Sequence, residues 1–380
     1  MNFALTDEQS ALKDMVRSFA EKELKDKAAK IDEEHRFPEE VIAEMGKLGL
    51  MGVAYPPEYN GAGMDYVSYS IVIEELSRCC ASTGVICSAH SSLACDPIYK
   101  WGTEEQKQKF LARMTTGEWI GCYGLSEPEA GSDASSQHTM AVQKGDKWII
   151  NGTKNFITNG LQAHVAVIFA QTDKEKGHRG ITAFIVEKGT PGFSVGKVED
   201  KLGIRGSSTT QLIFEDCELS DDNRLGEVGA GFKVAMVTLD GGRIGIASQA
   251  IGIAQRALEE SIQYSKERHA FGKPISKFQA LQWKMADMAV EIDASRLLTQ
   301  RAAWMKDNGM RFSKEAAMAK LFASEACMKA TTDGIQIFGG YGYCREYPME
   351  RLFRDAKITE IYEGTSEMQR LVIASNILKD

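Results

Sequence analysis

The spacing of apolar residues changes twice along the 380-residue chain. In "DEQSALKDMVRSFAEKEL" the apolar residues Leu12, Met15, Val16, Phe19 and Ala20 follow helical spacing, and Thr6 with Gln9 three residues on predicts a capping box at the start of that helix. "TEEQKQKFLARM" repeats the logic with Thr103 as N-cap and Gln106 as its partner, and "YPPEYNGAG" between them reads as a turn-rich interruption. From about residue 121 the texture becomes that of strands. "HTMAVQKGDKWIING" predicts two strands around a Gly145-Asp146 turn, and "AHVAVIFAQT", "GITAFIVEKG" and "STTQLIFEDCEL" are short β-branched or aromatic runs bounded by Gly, Asp and Lys. After about residue 228 helical spacing returns. Leu281, Met285, Met288 and Ile292 fall on one stripe, and "SKEAAMAKLFASEACMKATTDGIQIF" predicts another long helix. The pattern gives an α+β multidomain chain: helices over 1–120, a β-domain over 121–228 and helices over 229–380. No βαβ alternation appears, which disfavours a doubly wound nucleotide fold.

One short stretch breaks this regularity. In "KITEIYEGTSEMQRL" (357–371) a Gly-Thr-Ser turn interrupts a helical pattern directly after Glu363. A loop tip explains the glycine alone. A carboxylate that leaves the helix to face a ligand explains both residues.

Composition narrows the function. A net charge of −8 argues against a general nucleic-acid binder. No apolar run reaches the roughly 18 residues of a membrane span, and no secretion signal is evident, so the expected location is the cytoplasm or an organelle matrix. The eight cysteines are scattered without a CxxC pair and read as reduced thiols, and the six histidines form no HExxH motif, so no metal site is expected. Nucleotide motifs fail on inspection. "GEVGAGFKV" has Val234 where GxGxxG needs its third glycine, and "ERHAFGKPIS" has Glu267 and Pro274 where a P-loop needs Gly and Ser or Thr. No GxSxG elbow anchors a serine hydrolase.

Four stretches taken together resemble the acyl-CoA dehydrogenase family: "GCYGLSEPEAGSDASS" (121–136), "KNFITNG" (154–160), "ERHAFGKPISKFQALQ" (267–282) and "RDAKITEIYEGTSEMQR" (354–370), with "QIFGGYGY" (336–343) in support. They follow the family's order across nearly the whole chain, and the short-chain, butyryl-CoA dehydrogenase-like branch is the most similar. The resemblance implies an N-terminal helical domain, a middle β-barrel and a C-terminal four-helix bundle, assembled as a homotetramer. It implies non-covalent FAD and an acyl-CoA substrate, with electrons passing to electron-transfer flavoprotein. By the same resemblance Tyr123, Leu125 and Ser126 contact the flavin, Ser132 lies by both cofactor and thioester, Phe156 packs on the ring and Thr158 hydrogen-bonds near its N5. Arg268, Phe271, Gln336, Gly339 and Gly340 match positions that grip the FAD of a neighbouring subunit, and Thr365 and Glu367 also touch FAD. An arginine suits a pyrophosphate because its planar donors pair with two oxygens. Asp240, Arg243, Tyr362 and Gly364 fall at substrate positions; Arg243 either tunes the neighbouring carboxylate or holds the loop.

Glu363 matches the family's base. Removing an α-proton from a thioester needs a carboxylate close to that carbon and shielded from water, since desolvation raises its pKa. Two branches carry the base at the position matching Gly242 instead; here residue 242 is glycine. The implied reaction is α,β-dehydrogenation, Glu363 taking the proton while hydride passes to flavin N5, with the Glu363 N–H among the donors polarising the thioester oxygen. Asp96 departs from the pattern. It falls where the family lines the far end of the acyl pocket, and an uncompensated buried carboxylate there would suit a polar, cyclic or aromatic acyl group or a second proton transfer; alternatively it caps or pairs at the Asp-Pro turn and never meets substrate. Gly84, where the glutaryl branch has an arginine, disfavours a dicarboxylic substrate. An enoyl-CoA reductase working in reverse with a bifurcating flavoprotein, a non-catalytic flavin- or thioester-binding subunit and a flavin oxidase remain as alternatives.

Overall fold

The computed structural model describes residues 4–378. The first helix, Asp7–Glu23, starts at the expected capping box: Thr6 Oγ1 accepts the Gln9 N–H at 3.2 Å and Gln9 Oε1 accepts the Thr6 N–H at 3.0 Å. The box at Thr103 and Gln106 also forms, yet the α-helix it opens covers only Glu104–Gln106 before it widens into a π-helical Lys107–Leu111. A second π-helical stretch, Ala89–Cys95, has no counterpart in the sequence pattern. Widened turns of this kind recur at functional sites, and this one carries Leu93 and ends just before Asp96.

The strands follow as β1 (Gly121–Gly124), β2 (Met140–Lys144), β3 (Lys147–Thr158), β4 (Val165–Gln171), β5 (Ile181–Glu187), β6 (Phe193–Val198), β7 (Thr209–Ser220) and β8 (Arg224–Leu225). β2 and β3 pair Lys144 with Lys147 across the expected Gly145-Asp146 turn. The sheet order is β6-β7-β3-β2-β4-β5-β8, with β1 beside β4 in parallel. The expected barrel is therefore a hydrogen-bonded path with β6 and β8 at its two ends. β4 is buried on both faces, which is why it reads as a continuous apolar run. Val165, Val167 and Phe169 pack with the N-terminal Leu93, Ile98 and Phe110, whereas Ala166, Ile168 and Ala170 pack with Phe184 and Leu212 inside the sheet domain. This two-sided burial joins the N-terminal helices to the sheet at β1, whose end carries Tyr123.

Three long helices follow, Gly231–Glu267, Gln279–Asp307 and Ser313–Phe338, and Ser366–Ile377 packs against the last of them. On Gln279–Asp307 the predicted stripe faces inward: Met288 and Ile292 are buried and Leu281 and Met285 pack on the same core. A second stripe on this helix, Trp283, Val290, Leu297 and Trp304, is exposed. Its members are seven residues apart, the spacing of a helix that meets a partner helix. Among the described residues no helix is long and apolar enough to cross a membrane.

Asp96 lies at the start of Asp96–Trp101 and is buried. Its Oδ1 accepts from Lys306 Nζ at 3.1 Å, and its Oδ2 lies 2.9 Å from Lys100 Nζ. Burial alone would raise this carboxyl, and Lys306 and Lys100 override it, holding Asp96 below its ordinary value. Lys306 in turn sits 3.3 Å from the centre of the Tyr66 ring. Of the two readings of Asp96, the placement among substrate-binding residues as an uncompensated carboxylate is thus corrected, and the paired one agrees with the structure: two lysines meet it, and no polar substrate is needed to account for it. Removing one partner of a buried pair strands the others, so Asp96→Ala should lower the unfolding free energy by about 3–5 kcal/mol. Urea unfolding at fixed protein concentration reads this, and a midpoint equal to that of the wild type would show that the lysines are solvated.

Candidate active site

The interruption at 363–365 is a true break. The helix Met349–Lys357 tightens into a 3-10 turn, Ile358–Glu360, and a new helix opens at Ser366 with Thr365 as its N-cap, Oγ1 accepting the Met368 N–H at 3.3 Å. Between them Glu363 takes φ +52° and Gly364 φ +91°. Glycine accepts such a backbone freely, whereas a glutamate there is strained by about 1–3 kcal/mol and must be held by its surroundings. Gln369 Nε2 donates to the carbonyls of Gly364 at 2.8 Å and Glu363 at 3.2 Å, and Lys320 Nζ donates to the Gly364 carbonyl at 2.8 Å. Among the described residues the Glu363 N–H has no partner and is free to donate to a ligand.

The turn throws the carboxylate across to the helix Gly231–Glu267. A Cβ built at Gly242 would overlap Glu363 Oε2 and lie 2.7 Å from Leu93 Cδ2. Glycine inside a helix costs about 1 kcal/mol relative to alanine, and here it lets the carboxylate lie against bare backbone. Glu363 keeps some exposure as a residue, but Oε2 is sealed from water and has no hydrogen-bond partner among the described residues. Burial pushes the carboxyl up to about 8, with Lys320 and then Arg243 pulling it back. Arg243 is buried and committed elsewhere: its Nη1 meets Asp240 Oδ1 at 2.5 Å, and Asp240 also accepts from Ser313 Oγ at 2.9 Å. Tyr66, Tyr69, Tyr123 and Tyr362 face the same charge. Burial raises each phenol and Glu363 raises it further, so all four stay protonated. The Tyr362 hydroxyl is spent on Gln249 and that of Tyr123 on the Ala235 carbonyl at 3.3 Å. A dry carboxylate with a raised pKa and a lone pair not engaged by any donor is suited to abstract a proton from a weak carbon acid.

Other predicted residues form two further groups. Leu125 and Ser126 follow β1, and the Ser126 carbonyl accepts the Asn155 N–H at 2.8 Å, which ties this loop to Phe156. Buried Lys154 braces it from behind, donating to the carbonyl of Leu125 at 3.2 Å and to Glu127 Oε1 at 2.7 Å. Phe156 is 64% exposed with φ +59°, Thr158 is half-buried and Ser132 is exposed. The second group lines a single groove: Arg268, Phe271, Gln336, Gly339 and Gly340. Phe271 is 93% exposed with φ +51°, and a Cβ at Gly339 or Gly340 would meet nothing within 4 Å. Two phenylalanines that are both strained and exposed are unfavourable unless something covers them. Open glycine backbone beside an arginine fits a phosphate-bearing cofactor. These residues fit a flavin dinucleotide. Among the described residues no hydrogen bond or ion pair joins the groove to Glu363. Asp96 stands apart in its lysine pairs, and Glu367 is exposed at the first turn of Ser366–Ile377.

Lys320, Gln369, Lys154 and the tyrosines of Tyr66–Cys79 were not legible as site residues. Lys320 alone left a signal: it occupies the buried stripe Ala316, Lys320, Ala323, Cys327, where an apolar residue belongs.

Three family models cover the chain: the acyl-CoA dehydrogenase N-terminal domain over 6–118, the middle domain over 122–217 and the C-terminal domain over 229–378. The short-chain specific acyl-CoA dehydrogenase of Clostridium acetobutylicum is 56% identical over the whole of both chains. The mitochondrial short-chain specific enzyme of Homo sapiens is 56% identical over 96% of this chain and 88% of its own. Among solved structures, butyryl-CoA dehydrogenase from Megasphaera elsdenii superposes with a TM-score of 0.98 at 48% identity, covering both chains fully. A chain solved in work on the electron transferring flavoprotein of Acidaminococcus fermentans and flavin-based electron bifurcation gives 0.99 at 54% identity, again with full coverage. With all three domains matched in order around a buried glutamate that lies over Gly242, the chain belongs to the acyl-CoA dehydrogenase family.

Proposed function

We propose that this protein oxidises a short-chain acyl-CoA thioester to its α,β-unsaturated product, with FAD as cofactor and Glu363 as base. The observation that carries this reading is the sealed, unpartnered Oε2 of Glu363 lying on the Gly242 backbone. When bound, the flavin supplies an acceptor for the hydride from the β-carbon. The chain itself supplies the rest. Glu363 Oε2 takes the α-proton, the free Glu363 N–H is positioned to stabilise the thioester oxygen as charge develops, and the surrounding apolar and phenolic side chains exclude water. Tyr123, Leu125, Ser126, Ser132, Phe156, Thr158, Thr365 and Glu367 hold the cofactor from one subunit. Arg268, Phe271, Gln336, Gly339 and Gly340 complete it from a neighbour, which accounts for a groove with no direct link to Glu363. Arg243, Asp240, Tyr362 and Gly364 surround the thioester.

The exposed Trp283, Val290, Leu297 and Trp304 stripe supports a homotetramer, the assembly typical of the family. Electron-transferring flavoprotein is the redox partner. The similarity to the chain studied with the Acidaminococcus fermentans flavoprotein favours a second reading of direction, in which the same site reduces an enoyl-CoA. Similarity to a bacterial relative supports a cytoplasmic location.

Anaerobic titration with butyryl-CoA tests the assignment. The flavin band should bleach in the wild type and remain in Glu363→Gln; equal bleaching in both would remove Glu363 as base. Because the ionised carboxylate is the active form and burial has raised its pKa, kcat/KM should rise with pH and level off above about 8. A profile that falls over that range would contradict the base assignment. Gly242→Ala fills the space under Oε2, and the rate of flavin reduction should drop by about 100-fold, the scale expected of an ångström-sized displacement. An unaltered rate would place the reacting carboxylate elsewhere.

A further inference from the structure

Lys320 is 0% exposed, yet among the described residues it forms no ion pair. Its one hydrogen bond is the 2.8 Å contact from Nζ to the Gly364 carbonyl. Buried lysines are ordinarily paired with a carboxylate, since an unpaired ammonium is expensive to desolvate. The surrounding stripe of Ala316, Ala323 and Cys327 would accept a methionine at this position without that cost.

We propose that Lys320 is a positioning residue of the reaction: its ammonium pins the Gly364 carbonyl, holds Glu363 in its left-handed turn and places an uncommitted positive charge near, but not in contact with, the carboxylate that takes the proton. The inference rests on Glu363 being the base.

Two observations carry it. The first is mechanical. The Glu363–Gly364 turn is strained, and the Gly364 carbonyl is gripped from two sides, by Gln369 within the following helix and by Lys320 from the separate helix Ser313–Phe338. The Lys320 grip ties the Gly364 carbonyl to Ser313–Phe338, whereas Gln369 belongs to the helix that the turn opens; Tyr362, just before the turn, is held separately by Gln249.

The second is electrostatic. The groups facing Glu363 are Lys320, Arg243 on Gly231–Glu267, Tyr66 and Tyr69 on Tyr66–Cys79, Tyr123 on β1 and Tyr362 on its own segment. Glu360 and Glu367 act on Lys320 from the same C-terminal stretch, and Arg243 repels it. Of the two cations, Arg243 is already matched by Asp240 at 2.5 Å. Lys320 has no such partner, and Glu363 is the foremost charge opposing its desolvation. Burial brings Lys320 down to about 8, close to the value of the glutamate it faces. A charged Lys320 keeps Glu363 ionised at a pH where burial alone would protonate it. A neutral Lys320 withdraws that support.

The test uses the FAD-loaded tetramer with Lys320→Met, which keeps length and loses charge and donor, Lys320→Gln, which keeps a donor alone, and Lys320→Arg, which keeps both. An infrared pH titration without substrate, taken as the difference from Glu363→Gln, follows the Glu363 carboxyl; butyryl-CoA kinetics follow the reaction. Lys320→Met should raise the carboxyl midpoint by about one pH unit or more and lower kcat near neutrality about 10- to 100-fold. Lys320→Gln should raise the midpoint with a smaller loss of kcat. Lys320→Arg, whose charge does not titrate in this range, should place the midpoint at or below that of the wild type. An unchanged midpoint in a neutral variant that folds overturns the proposal. If neither neutral variant folds, a raised midpoint in Lys320→Arg overturns it. A shifted midpoint in a protein that no thioester reduces would leave Lys320 in place and remove the substrate reading; normal turnover with an unshifted midpoint would do the reverse.

Discussion

The Glu363 carboxylate is buried against backbone rather than against a partner, and much of the nearby sequence makes sense only around that one desolvated group. A carboxylate in this setting is driven towards its protonated form, and the nearby cations restrain that drive without a direct ion pair. The balance is functional. A direct ion pair would stabilise the anion and blunt it as a base, and full solvation would return it to the strength of an ordinary glutamate.

Several local costs converge on this balance. Glycines at 241 and 242 weaken the middle of a 37-residue helix. Glu363 occupies a backbone region that suits glycine, and Lys320 gives up hydration for a single carbonyl. Each is unfavourable by itself. Together they place one oxygen in a dry space with no hydrogen-bond partner, and such clustering of local exceptions is what a functional site looks like against an otherwise consistent fold. Phe156 and Phe271 extend the same logic to the cofactor, since each combines strain with exposure.

Tertiary packing makes the arrangement rigid. Glu363 comes from a turn near the C-terminus, the surface beneath it from Gly231–Glu267, Leu93 from the π-helical segment and Tyr123 from β1. β4, buried on both faces, locks β1 to the N-terminal helices, so elements far apart in sequence meet at a fixed geometry. Asp96 with Lys306 and Lys100 belongs to this scaffold: a buried ion pair behind the site.

The sequence by itself determined the order of helices, strands and helices, both capping boxes, the Gly145-Asp146 hairpin and the break after Glu363. Each is a short-range matter of spacing, capping or turn chemistry. The motifs also singled out Glu363, its glycine counterpart at 242 and five residues that line one groove. Only the tertiary structure decided that Asp96 is neutralised by lysines, that the strand path runs from β6 to β8, that residues 89–95 widen into a π-helix and that Lys320 reaches the Glu363–Gly364 turn. These depend on which side chains meet across the fold. A lysine 43 positions before the glutamate looks like any other until packing removes its water and brings it to the Gly364 carbonyl.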